Sequence, residues 1–306
     1  MIFRHEQNGA FWIDIEQPTP EEVHAISKEF SIGSRIETEL LSPSPLPLVA
    51  GDAEHALLVL HFPAHGTDDG QTASQEIDFV VGQKFILTVR YEVIAPLHHL
   101  RKLLEANGLV GTHFEMREDM FLEILFAHLF ATMRDHTNHI ANRLLHIEKG
   151  MFGGHERDTV LHISEINREF LHLQAAVANH EEPLTRFLQA LERRNFFGPA
   201  FGERAQRIRG ENEQLARLIG THRAVGTELR ATNMALLSAR QNEVMKTLTV
   251  MTFLVLPLNL IAFIFAMHVP GTPLMTNPNA FWIILTAMLG VVGILVLYFA
   301  KKRWIF

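Results

Sequence analysis

Two stretches near the C-terminal end are uncharged and predominantly apolar. Leu248–Met267 runs 20 residues without a charge, and Ala280–Ala300 runs 21. An α-helix rises ~1.5 Å per residue, so about 20 apolar residues cross the ~30 Å of hydrocarbon in a bilayer. Both stretches reach that length, and they predict two membrane helices joined by segment 268–279. Ahead of them the pattern is amphipathic. Glu115–Lys149 has no proline or glycine and repeats apolar residues at helical spacing, with Gly150, Gly153 and Gly154 expected to break it. Thr159–Arg194 is helical again, with a kink or break expected at Pro183. Glu203–Lys246 has no proline and leads directly into the first apolar stretch. One helix from Glu203 to Met267 would be ~65 residues and ~100 Å long, a stalk continuous with the first membrane helix. Gly210, Gly220 and Gly226 weaken it by ~1 kcal/mol each relative to alanine, and the reading is that they are tolerated.

The first 110 residues alternate short strand-like runs with turns. Ala56–Phe62, Ile77–Gly82 and Lys84–Val89 are short and rich in β-branched or aromatic residues, as strands are. A tight hairpin turn is expected at Gly82-Gln83. Thr19 is placed to cap a helix whose first residue is Pro20. Segment 42–47 carries three prolines and reads as a loop. The fold class is therefore α+β with a membrane part. A cytosolic α/β domain spans 1–112, a helical and stalk region 113–247, and a two-helix transmembrane domain 248–306.

Charge sharpens that division. The first 247 residues hold all 34 acidic residues and all but three of the 27 basic ones. The exceptions, Lys301, Lys302 and Arg303, follow the second apolar stretch, while Arg240 and Lys246 precede the first. Segment 268–279 has no lysine or arginine. The positive-inside rule then puts both chain ends in the cytosol and the connecting loop outside a cytoplasmic membrane. Trp282, Tyr298 and Trp304 sit near the ends of the second stretch, where interfacial aromatics belong. Starting Met1-Ile2-Phe3-Arg4, the chain opens without the apolar core of a signal peptide. A net charge of −7 argues against a nucleic-acid partner. The absence of cysteine excludes disulfides, thiolate metal sites and a cysteine nucleophile. No Walker loop, zincin helix or nucleophile elbow is present, so the chain does not read as an enzyme.

The first apolar stretch carries polar side chains in a pattern. A heptad frame puts Asn242, Met245, Thr249, Thr252, Leu256, Asn259, Phe263 and Ala266 on one seam. Four of them are polar, and only Thr247 lies off the seam. An amide facing lipid costs several kcal/mol unless paired. Two readings stay open: hydrogen-bonded glue between packed helices, or a polar line along a water-filled pore. Two helices per chain cannot enclose a pore, so the second reading needs an oligomer with the first helix inside and the second toward lipid. Pro257 removes one backbone donor, leaving the Phe253 carbonyl for water or an ion.

These residues resemble the CorA family of divalent-cation transporters. The similarity is carried by Asn242-Glu243-Val244-Met245-Lys246, Leu248-Thr249, Pro257 and the ending Lys301-Lys302-Arg303-Trp304. Trp12-Ile13-Asp14-Ile15 with Pro18-Thr19-Pro20-Glu21-Glu22, and Ile77-Asp78-Phe79 with Thr88-Val89-Arg90, extend it to the N-terminal part. The resemblance implies a funnel-shaped homopentamer whose first membrane helices line a pore. Passive entry of Mg²⁺, with Co²⁺ or Ni²⁺ accepted, follows from it, driven by the membrane potential. Constrictions at Met245 and Leu256, polar pore positions at Asn242 and Asn259, and a basic collar of Lys246, Lys301, Lys302 and Arg303 are implied as well. No tightly bound cofactor is expected, the divalent cation being the transported and regulatory ion.

The expected pore mouth departs from the family. Its Gly-Met-Asn triplet reads Ala266-Met267-His268 here. Mg²⁺ prefers oxygen ligands and keeps its waters, whereas imidazole suits Zn²⁺, Ni²⁺ or Co²⁺. His268 is thus a candidate metal contact. Three functions stay open: divalent-cation transport, a non-conducting membrane sensor or scaffold, and a proton-coupled Zn²⁺ transporter. Among other histidines, Asp135, His139 and His146 approach metal-ligand spacing, with an exposed helix face as the alternative. His61 and His65, flanking Pro63, are discounted.

Overall fold

The computed structural model describes residues 1–7, 10–63, 74–110, 118–151, 156–267 and 278–302. The chain forms two compact units, Met1–Arg230 and Ala231–Phe306.

In the first unit a six-stranded sheet carries helices on both faces. Its strands are β1 (Ile2–Gln7), β2 (Ala10–Glu16), β3 (Leu48–Gly51), β4 (Ala56–Pro63), β5 (Ser74–Val81) and β6 (Phe85–Arg90), in the order β1-β2-β6-β5-β4-β3. Only β2 and β6 pair in parallel. Central strands covered on both faces need apolar residues at consecutive positions. That is why Ala56–Leu60 and Phe85–Val89 are buried almost without interruption. One face packs on α1 (Pro20–Glu29) and α2 (Ser34–Glu39) through Ile13, Ile15, Val59 and Leu87. The other meets α3 (Ala95–Val110), α4 (Glu118–Met151), α5 (Glu156–Arg194) and the start of α6 (Phe201–Ala266).

Helix α1 starts where the capping residues put it. The Thr19 hydroxyl accepts from the Glu22 amide and the Glu22 carboxylate accepts from the Thr19 amide, each at 3.2 Å. The hairpin turn lies one residue later than expected, at Gln83–Lys84. The Gly82 amide closes it on the Phe85 carbonyl at 3.0 Å. Gly82 is needed beside the turn because a Cβ there would meet the Phe85 ring at 2.3 Å.

Helix α4 ends at Met151, one residue past Gly150 at the start of the glycine cluster, and the break expected at Pro183 does not occur, since α5 runs through it. Buried Val177, Leu184, Phe187 and Leu188 on either side of Pro183 supply packing that offsets the lost backbone bond. Gly153, Gly154 and His65 lie outside the described residues. Helix α6 is continuous for 66 residues through Gly210, Gly220, Gly226 and Pro257.

A charge network lies inside this unit. Arg90 is fully buried, and its Nη2 donates to Asp14 at 2.9 Å and to Glu16 at 2.6 Å. Thr88 donates to Asp14 at 2.7 Å, and the Trp12 indole donates to Thr88. All five residues lie on the parallel pair β2–β6. Removing one partner from a buried pair leaves an uncompensated charge. Asp14→Ala should therefore lower stability by ~3–5 kcal/mol. The exposed Arg4–Glu29 pair should matter little, and Arg4→Ala should cost ~0–1 kcal/mol. Thermal unfolding of the full chain in detergent checks both; equal effects would remove the special weight of the buried pair.

Candidate functional site

The second unit contains the end of α6 and helix α7 (Ala280–Lys301), both long and apolar enough to cross a membrane. Their burial pattern is periodic. On α6 the covered positions include Val250, Leu254, Pro257, Leu258, Ile261 and Phe265. On α7 they include Ile284, Met288, Val291, Val292, Leu295 and Phe299. Steps of three and four residues are one face of a helix. The Phe253 and Phe299 rings meet at 6.3 Å between centroids. This contact sets the beginning of one span beside the end of the other, so Lys246, Lys301 and Lys302 lie at the same end of the pair. Lys302 also sits 5.9 Å from the centre of the Tyr298 ring.

The polar seam lies on the opposite side of α6. At about 100° per residue, Met245, Thr252, Leu256 and Asn259 point roughly half a turn away from the covered stripe. Met245 is 59% exposed and Leu256 63%, and Asn242, Thr252 and Asn259 are exposed as well. Thr249 is half-buried. The structure thus brings Asn242, Met245, Thr252, Leu256 and Asn259 onto one uncovered line, with Thr249 at its edge.

Each threonine is prepared to accept. The Thr249 hydroxyl donates to the Met245 carbonyl at 2.7 Å, and that of Thr252 to the Leu248 carbonyl at 2.9 Å. A hydroxyl that has given its proton to the backbone turns only lone pairs outward. Oxygen lone pairs suit hard cations and their hydration shells. Without a donor at Pro257, the Phe253 carbonyl adds another free acceptor. Ala266 and Met267 end the seam and are exposed. His268 and Arg303 lie outside the described residues, as do 268–277 and Trp304.

A model of the family described as CorA-like Mg²⁺ transporter protein matches residues 7–303. The chain belongs to that family. Its relatives include the cobalt/magnesium transport protein CorA of Methanocaldococcus jannaschii, 21% identical and covering 98% of this chain and 93% of its own length. The cobalt/magnesium transport protein CorA of Thermotoga maritima is also 21% identical, covering 92% and 80%. The complete structure of the Methanocaldococcus jannaschii CorA magnesium transporter superposes with a TM-score of 0.82, over 98% of this chain and 93% of that one. The CorA fold, with an α/β domain, one long helix and two C-terminal candidate membrane helices, is shared from end to end.

The histidines of α4 do not assemble. Asp135, His139 and His146 are exposed, and the His146 ring contacts the Asn142 carbonyl of its own helix. No group of three or more potential metal ligands forms among the described residues. By contrast, the discounted His61 is half-buried and sits 3.3 Å from Glu76. Cross-strand register brings that pair together, and no local pattern in the sequence marks it.

The chain has no cysteine, so single cysteines can be introduced without background. In vesicle-reconstituted protein, Cys at 252, 256 and 259 should react with a water-soluble thiol reagent. Cys at 254, 258 and 261 should react far more slowly. Equal rates for the two sets would dissolve the distinction between a wet and a covered face.

Proposed function

We propose that this chain forms a homo-oligomeric divalent-cation channel of the cytoplasmic membrane, with both chain ends cytosolic. The observation that carries it is the uncovered line of Asn242, Thr252 and Asn259, with Thr249 half-buried at its edge, on the side of α6 away from the stripe that α7 covers. In one copy this line would face hydrocarbon, where an unpaired amide is costly. Five copies arranged around an axis turn the line toward a shared water-filled path. The assignment is supported by membership of the CorA-like Mg²⁺ transporter family and by relatives named cobalt/magnesium transport proteins.

The path would run from Ala266, Met267 and His268 past Asn259, Leu256, Thr252, Thr249 and Met245 to Asn242. Amide and hydroxyl oxygens would bind the waters of a hydrated cation and not strip them, which suits Mg²⁺. Rings of Met245 and Leu256 would close the path by dewetting. Lys246 with Lys301, Lys302 and Arg303 would bind headgroups at the cytosolic face. The membrane potential supplies ~2.3 kcal/mol per charge per 100 mV, and so about twice that for a divalent ion. Inward flow needs no nucleotide.

A second reading rests on one observation, the imidazole at 268 where the family has an amide. It makes the mouth select Zn²⁺, Ni²⁺ or Co²⁺. Flux into proteoliposomes separates the two. Mg²⁺ entry, read by an internal dye, supports the first; entry of the softer ions alone supports the second. No flux from folded, oligomeric protein would leave a sensor or scaffold. In the conducting protein, Asn259→Leu should abolish flux while the oligomer persists on size exclusion. Unchanged flux would take Asn259 out of the path.

A further inference from the structure

Beneath α2 and the proline-rich segment 42–47 lies a group of acids that the ion path does not use. Glu76 and Asp78 are two residues apart on β5 and so face the same side of the sheet. Asp78 is fully buried and Glu76 is 7% exposed. Glu39, the last residue of α2, adds a third carboxyl to their surroundings. Both Glu76 oxygens accept from the Ser44 amide, at 2.9 and 2.8 Å. His61 stands opposite Glu76 across the β4–β5 pair. Its Nε2 lies 2.8 Å from the Ser44 carbonyl and 3.3 Å from Glu76 Oε2. The Tyr91 hydroxyl, just past β6, donates to Asp78 Oδ2 at 3.2 Å, and Asp78 Oδ1 has no hydrogen-bond partner. On α5, His180 meets the His61 carbonyl at 2.8 Å. Burial pushes His180 down to about 4, so it is neutral and its Nε2–H is the donor. Segment 41–48 carries no charge of its own.

Two carboxylates this close in a buried site do not both ionise near neutrality. Glu76 is served by the Ser44 amide and by His61. Asp78, with one neutral donor, holds the proton. Burial first, and then the charge of Glu76, keeps its carboxyl well above the usual carboxylate range. The hydrogen bond to Glu76 raises His61 above the ordinary imidazole value. Burial and the neighbouring Asp78 push Tyr91 up, so it remains a donor.

We propose that Asp78, Glu76, Glu39, His61 and Tyr91 form a proton-operated latch that holds segment 42–47 against the sheet. With Asp78 protonated, the Ser44 amide is clasped by Glu76 and the Ser44 carbonyl by His61. When the Asp78 proton passes to water, a second buried charge opposes Glu76 and the clasp opens. Pro45, Leu46 and Pro47 also wall a cavity of about 260 Å³ with His61, His172 and Asn179. Opening the latch removes Pro45, Leu46 and Pro47 from the wall of that cavity. Both proton-holding groups act with one sign. Each binds its proton more tightly in the closed state than its ordinary value, 3.8 for Asp78 and 6.5 for His61. Closure is therefore fully favoured below those values and is lost as pH rises through the raised ones.

The test is hydrogen exchange of the full-length protein in detergent, read on peptides covering 39–48 and corrected for the intrinsic pH dependence. Local opening in the wild type should grow by up to about tenfold per pH unit while Asp78 titrates. Asp78→Asn, neutral at every pH, should keep the segment protected across that range. Loss of protection in the variant equal to that in the wild type would overturn the latch, as would constant protection in the wild type to pH 9. Infrared difference spectra of the wild type give a reading that does not depend on the variant folding. A protonated-carboxyl band from a buried acid should be present at neutral pH and fade as the segment opens; its absence would also overturn the proposal. Neither readout depends on whether the protein conducts ions.

Discussion

A charge in hydrocarbon costs kilocalories that no small domain can spare, and this cost organises the C-terminal part of the chain. Residues 248–300 hold no Asp, Glu, Lys or Arg. Within that limit each remaining polar atom must be bonded to its own helix, face a partner or meet water. Thr249 and Thr252, the threonines of the α6 span, are bonded to their own backbone. The Asn259 amide sits on the uncovered face. Because α7 covers the other side, the exposed line needs a neighbour or water, and copies of the same helix around an axis supply both. The proposed pore follows from that single requirement.

In the α/β unit the same cost has a different solution. The sheet buries an arginine on one face and an aspartate on the other. Arg90 is kept charged by Asp14 and Glu16, which lie on the strand beside it in parallel register. No such cation serves Asp78, and it is best held neutral. Fixed pairing makes the first network a structural element. A proton that exchanges with solvent makes the second able to respond to conditions.

Much of this was legible in the chain. Thr19, Pro20 and Glu22 mark the start of α1 because capping is a contact between neighbours in sequence. Strands β4, β5 and β6 stand out because both their faces are buried. The two spans were readable from length and absence of charge, and α6 from a proline-free run leading directly into the first span. Strands β1 and β3 were not, since edge strands are held by their neighbours' hydrogen bonds more than by apolar pattern. Helix α2 is six residues long, too short to show a period. Pro183 read as a kink or break because local propensity was the only term available, and the packing of Val177, Leu184, Phe187 and Leu188 overrode it.

What the sequence by itself determined is therefore what depends on short range and on solvent: helix starts, buried strands, the spans, and the seam of α6. A helical period places Asn259, Leu256 and Thr252 on one line whatever surrounds them. The tertiary structure alone decided which side of α6 is covered, since that depends on where α7 packs. It also decided that Glu76 meets His61 and Ser44, residues 15 and 32 positions away. Such meetings are set by strand register and by a folded loop, and neither leaves a mark in local pattern.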